Sequence, residues 1–270
     1  MFNNTKIERY ELYESIRDQV DSKETFDQID NFKDEIKDHI YTDIVITDYK
    51  EPIEKAFQSR LQILQSETLL RALMLKEGMV LALNNNNFPT YYATLKSFLE
   101  IPAVLGYVVH LIYNNDDYGE IIPKVNKLHL GNRKAGQLPT GGVEAINVIT
   151  MFEKLDRVFD GIARKGKSEE ELEQLKKDEK ILSSTYADVC NFGHTNFNAN
   201  LSVGILHDDA WKAKKDSTGY KEELWAFYMT GFSVGMGVIQ MLCRMISRNS
   251  KIQNYNLLKS PLYFTDKVTE

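Results

Sequence analysis

The eleven residues Tyr186-Ala187-Asp188-Val189-Cys190-Asn191-Phe192-Gly193-His194-Thr195-Asn196 put a phenol, a thiol, an imidazole and two carboxamides into one short segment. In a helix, Tyr186, Cys190 and His194 stand at steps of four and share a face, with Asn191 on an adjoining one. Histidine is the side chain best placed to exchange protons near neutral pH, and the terminal carbonyls of a helix favour its protonated form. His194 is therefore a candidate general acid or base, with Tyr186, Asn191 and Asn196 positioning a ligand. The plainer alternative is a C-terminal cap, in which His194 bonds the last exposed carbonyls while Tyr186 packs.

Either role needs a helix that ends near His194, and helical spacing recurs along most of the chain. Ile7, Tyr10, Tyr13, Ile16 and Val20, then Ile29, Phe32, Ile36 and Ile40, fall at three- and four-residue steps, which predicts helix over 5–41 with a break at Asp21-Ser22. Asp43-Ile44-Val45-Ile46-Thr47 reads as a short extended link. Pro52 suits the first turn of a long helix reaching about Leu83. The run Asn84-Asn85-Asn86-Asn87 favours a turn after it. Pro89 opens a helix over 89–113 that is apolar nearly all round and so central, with Pro102 expected to kink or divide it. A short helix is predicted around 119–129 and an amphipathic one over 143–164. A third, opened by the capping box Ser168 and Glu171, runs to about His194. The last long helix covers 220–248. Leu201 to Leu206 is the one candidate strand. The expected fold is all-α: an antiparallel helical bundle of six to eight helices with at most one short strand segment. Residues 1–45 would form an N-terminal helical arm or hairpin, and 46–270 the main bundle.

Leu224 to Cys243 carries 20 residues without a charge, long enough to span a membrane. Gly231 and Gly235 form a Gly-x3-Gly pair of the kind used for close packing between membrane helices, and Gly237 lies just beyond. Each glycine inside a helix costs ~1 kcal/mol relative to alanine. Gly231, Gly235 and Gly237 thus point to a backbone packed closely against this helix, either the helix around 98–113 or the same helix of a second subunit. Burial in a bundle is the preferred reading over a membrane span, because the rest of the chain supplies partners and no second span. A homodimer is one expected assembly.

Tyr186-x3-Cys190-x3-His194-Thr195-Asn196 resembles the Tyr-x3-Ser/Cys-x3-His-Pro-Asn signature of a family of uncharacterised helical bacterial proteins. Leu95-Lys96-Ser97-Phe98-Leu99-Glu100 is the counterpart of that family's upstream apolar helix with an internal Glu. The family is distantly similar to the HEPN helical superfamily, which includes toxin and antiphage RNases. The resemblance covers about residues 50–245. It implies an RNA-directed or defence-associated protein that, if an enzyme, is a metal-independent RNase, with Tyr186, Cys190, His194 and Asn196 as the positions that carry over. HEPN nucleases show Arg-x4–6-His, whereas Thr185 to Gly193 contains no arginine. A cation to stabilise charge developing on a phosphate would have to come through the fold, from Arg60, Arg71 or Arg244.

Composition narrows the alternatives. The formal charge of −6 does not favour broad nucleic-acid binding, though it leaves room for a local basic patch. A non-enzymatic helical module that binds a protein or a small ligand is the second reading, and a membrane-associated effector using residues 224–243 the third. His39, His110, His129, His194 and His207 are scattered, and neither Glu35-x3-His39 nor Asp188-x5-His194 has di-iron spacing, so no metal is expected. No cofactor motif is present. The glycines and two cations between Gly131 and Gly142 read as a connector rather than a phosphate loop. Two cysteines in apolar surroundings fit reduced thiols and a cytoplasmic setting.

Overall fold

A computed structural model of the chain describes residues 10–18, 23–41, 44, 52–115, 117–132, 143–165, 181–193, 204–207, 210–213 and 221–249. The helices, in chain order, are α1 (Glu14–Arg17), α2 (Lys23–Ile36), α3 (Ile53–Asn84), α4 (Phe88–Asn114), α5 (Tyr118–Leu130), α6 (Val148–Arg164), α7 (Ile181–Gly193) and α8 (Lys221–Arg248). The fold is an all-α bundle. Among the described residues the strands form two small pairs. β1 (Gly131–Asn132) lies parallel to β2 (Val143–Glu144), and β3 (Gly204–His207) forms an antiparallel hairpin with β4 (Ala210–Ala213). The extended piece anticipated at 201–206 is thus partly seen, as one half of a hairpin.

The four asparagines from the last residue of α3 onward each do a separate job. Asn84 closes the helix and reaches across to the N-terminal segment, as described below. Asn85 donates its amide to the Leu81 carbonyl at 2.8 Å. Asn86 takes the positive φ of 51° that ends a helix and that asparagine tolerates better than most residues. Asn87 caps α4, its side-chain oxygen accepting from the Thr90 N–H at 3.3 Å, with Pro89 in the first turn. A tight reversal follows, and α3 and α4 lie antiparallel, with Gly78 facing Thr94 and Arg71 beside Glu100.

α4 is the central helix, and α3, α6, α7 and α8 all pack on it. Its apolar residues are buried on nearly every side, among them Tyr91, Tyr92, Leu95, Phe98, Leu99 and Val108. This matches a sequence that is apolar all round. Pro102 neither divides the helix nor ends it, since α4 continues unbroken to Asn114. Phe98 sits at the centre, edge-on to Phe232 of α8 at 5.4 Å and to Phe32 of α2 at 6.0 Å.

Antiparallel packing does not extend to every neighbour. α8 runs in the same direction as α4, because Gly231 lies by Leu95, Gly235 by Phe98, and the Tyr113 hydroxyl donates to the Met245 carbonyl at 3.2 Å. Short links force antiparallel neighbours, whereas α4 and α8 are separated by most of the second half of the chain.

The three glycines of α8 are filled by side chains and not by a second backbone. A Cβ at Gly231 would meet Thr185 Cγ2 of α7 at 3.2 Å, one at Gly235 would meet Phe98 Cε1 of α4 at 3.0 Å, and one at Gly237 would meet Gln28 Nε2 of α2 at 3.3 Å. Their neighbours belong to this chain. Two stretches, Phe88–Asn114 and Met229–Arg248, are long and apolar enough to cross a membrane, so a second candidate span does exist. The first is 72% buried within the protein and the second 50%.

At the N-terminus, Ile29, Phe32, Ile36 and Ile40 are buried as their spacing predicts. The predicted helix through Tyr10 and Tyr13 is not formed, because α1 is a single turn and residues 11–13 are irregular. Their backbone is taken up by α3 side chains. Tyr10 N–H donates to Glu77 Oε2 at 2.6 Å, Tyr13 N–H donates to Asn84 Oδ1 at 3.0 Å, and Asn84 Nδ2 donates to the Glu11 carbonyl at 2.7 Å. Glu77 is buried together with Lys76, which donates to its other oxygen at 2.9 Å. All but residue 44 of the predicted extended link 43–47, the capping box at Ser168 and Glu171, and residues 133–142 lie outside the described residues.

Candidate functional site

α7 turns Tyr186 toward the bundle. Its ring packs on Phe152 of α6, 4.6 Å between centroids, and its hydroxyl donates to Glu100 Oε1 of α4 at 3.1 Å. Glu100 is the only carboxylate in α4, a helix otherwise built for the core. It is 28% exposed and stands where α4 reaches the surface between α3 and α7. Its second oxygen lies 4.0 Å from the Arg71 guanidinium of α3. Phenol, carboxylate and guanidinium therefore form one chain of polar groups contributed by three helices.

The environment holds Tyr186 in its neutral form. Burial raises its pKa well above the usual tyrosine range, and the adjacent negative charge of Glu100 and the Cys190 thiol raise it further. A phenolate beside Glu100 would place two negative charges together in a poorly solvated spot. Tyr186 is thus a fixed hydrogen-bond donor and not a proton-exchanging group. Cys190 is half-buried one turn further along the same face.

Of the three arginines that could supply a cation, Arg71 reaches this network. Arg60 donates back to the Ala56 carbonyl of its own helix at 2.9 Å, and Arg244 is exposed on α8. Arg71 is 57% exposed, so its pairing with Glu100 is loose and worth little to stability. A guanidinium so placed keeps most of its donors open to an anion.

No family model matches the chain, and neither does a curated protein or a solved structure. What the site can do must then be read from its own groups. His194 and Asn196 lie outside the described residues, and Asn191 is placed by its backbone in the last turn of α7. α7 ends at Gly193, so residue 194 follows directly on the helix that carries Tyr186 and Cys190.

The sequence pointed to Tyr186 by spacing, and to Glu100 only through the family resemblance of the segment Leu95 to Glu100. Arg71 had no such signal. It is one of several cations on a long mixed helix, and it becomes part of the site only because α3 folds back antiparallel on α4.

Proposed function

We propose that this chain is a HEPN-like, RNA-directed protein that cleaves RNA without a metal, with His194 transferring the proton and Arg71 supplying the cation. The observation that supports this reading is the approach of Arg71 to Glu100 and Tyr186, at the helix that leads into His194. In such a cleavage the ribose 2′-hydroxyl attacks the adjacent phosphorus and the 5′-oxygen leaves. A cyclic 2′,3′-phosphate and a free 5′-hydroxyl result. The imidazole of His194 takes the 2′ proton or delivers one to the leaving oxygen. Arg71 bears on the negative charge that grows on the phosphate oxygens. Glu100 links Arg71 to Tyr186, which stands about two turns before the end of α7.

The test is incubation of the purified chain with mixed cellular RNA in the presence of a chelator, alongside His194→Ala and Arg71→Ala. Loss of the general acid–base group should slow cleavage ~10²–10⁴-fold. Loss of the cation should slow it roughly 10²–10³-fold. Failure of the folded parent to cleave RNA would transfer the site to a non-enzymatic binding role, the alternative that the acidic net charge favours.

A further inference from the structure

α5 carries an imidazole to the helix that holds Arg71. Two contacts fix its register on α3. Tyr118 packs on Phe57, 5.1 Å between ring centroids, and His129 Nδ1 lies 2.7 Å from Glu67 Oε2. Tyr118 opens α5 and His129 nearly closes it, so the two helices run parallel and α5 ends beside Glu67. Ile121, Ile122 and Val125 are buried and dock α5 on the bundle without this pair. The pair itself meets solvent, with 30% of the His129 side chain and 58% of the Glu67 side chain exposed. An ion pair so placed adds little stability. Its geometry is that of an oriented acid–base group.

A carboxylate only accepts, so Nδ1 of His129 carries a proton and donates to Glu67. Nε2 is left to exchange a proton with a substrate, the arrangement by which a carboxylate orients a catalytic imidazole. Glu67 lies one turn before Arg71 on the exposed side of α3, about 6 Å along the helix. Side chains at that spacing are neighbours. Imidazole and guanidinium therefore stand over the same stretch of surface. Arg71 leads on through Glu100, at 4.0 Å, to the Tyr186 hydroxyl.

Transesterification of RNA moves two protons. One leaves the 2′-hydroxyl as the new P–O2′ bond forms, and one reaches the 5′-oxygen as the P–O5′ bond breaks. His194 accounts for one of the two transfers. We infer that His129 carries the other, through Nε2, at the phosphodiester that Arg71 engages, with Glu67 as its positioning residue. This role rests on the nuclease reading above. The test compares the full chain with His129→Ala, Glu67→Ala and the double variant on one RNA oligonucleotide, with and without free imidazole. His129→Ala should slow cleavage ~10²–10⁴-fold, and added imidazole, entering the space the side chain leaves, should restore the rate by roughly tenfold or more. Glu67→Ala leaves the imidazole present but unheld, so its loss should be smaller. It should vanish in the His129→Ala background, because Glu67 acts only through that ring. A merely structural pair would give neither the rescue nor the non-additivity. A parent that cleaves RNA while His129→Ala is equally fast, or slow and not restored by imidazole, would overturn the role of His129 and leave the nuclease reading standing. A folded parent that cleaves no RNA would remove both.

Discussion

Tyr186 shows how one side chain can be readable in a sequence while its purpose depends on its neighbours. Its step-of-four relation to Cys190 singled it out, but its hydrogen bond to Glu100 and its stacking on Phe152 come from two other helices. Removing the hydroxyl by Tyr186→Phe leaves Glu100 without that donor, and should destabilise the fold by about 1 kcal/mol, the ordinary net worth of such a bond. Urea denaturation measures this directly, and an unchanged midpoint would mean that water replaces the phenol without loss. Because burial and Glu100 both favour the neutral phenol, its deprotonation should be displaced to higher pH than that of an ordinary tyrosine. Glu100 was named from the sequence only through the resemblance of its helix to an apolar helix with an internal Glu. Arg71 was not singled out, since an exposed arginine on a long helix has no distinguishing pattern.

At the scale of the elements, glycine divides into two kinds that sequence alone does not separate. Gly106 lies in α4 directly under Leu155, with three side-chain atoms of that leucine within 3 Å of a built Cβ. Gly161 lies near the end of α6 with nothing within 4 Å. Gly106→Ala should therefore force α4 and α6 apart, at a cost of roughly 1–3 kcal/mol. Gly161→Ala should instead stabilise the chain by up to ~1 kcal/mol through helix propensity. Thermal melting of the pair tests the contact: the first variant should melt lower than the parent and the second higher. Two falling values would show that α6 cannot take a side chain at Gly161 either. The glycines of α8 were legible as sites of close approach. That the approaching groups are Thr185, Phe98 and Gln28 was not, because a Gly-x3-Gly pattern reports only that space is needed.

On the scale of the whole molecule, the N-terminal segment is held to the bundle by a few polar contacts as well as by burial of Leu12. Asn84 grips the backbone of residues 11 and 13 from both sides, as donor and as acceptor. Asn84→Ala should release residues 10–18 while leaving the core formed. Trypsin should then cut after Arg17 several-fold faster, with cleavage inside α3 and α4 unaffected; an unchanged rate would mean that Leu12 and the Arg17–Asp30 pair suffice. The sequence by itself determined the helical class, the spans of α3, α4 and α8 to within a residue or so, and the burial of α4. It could do so because helix period and proline position are local properties of the chain. The tertiary structure alone decided that α8 runs parallel to α4 and that residues 11–13 give their backbone to α3. It alone brought Arg71 to Tyr186 through Glu100. Each of these depends on which helix faces which. Apolar stripes do not specify that choice, because a hydrophobic face is satisfied by almost any other of similar shape.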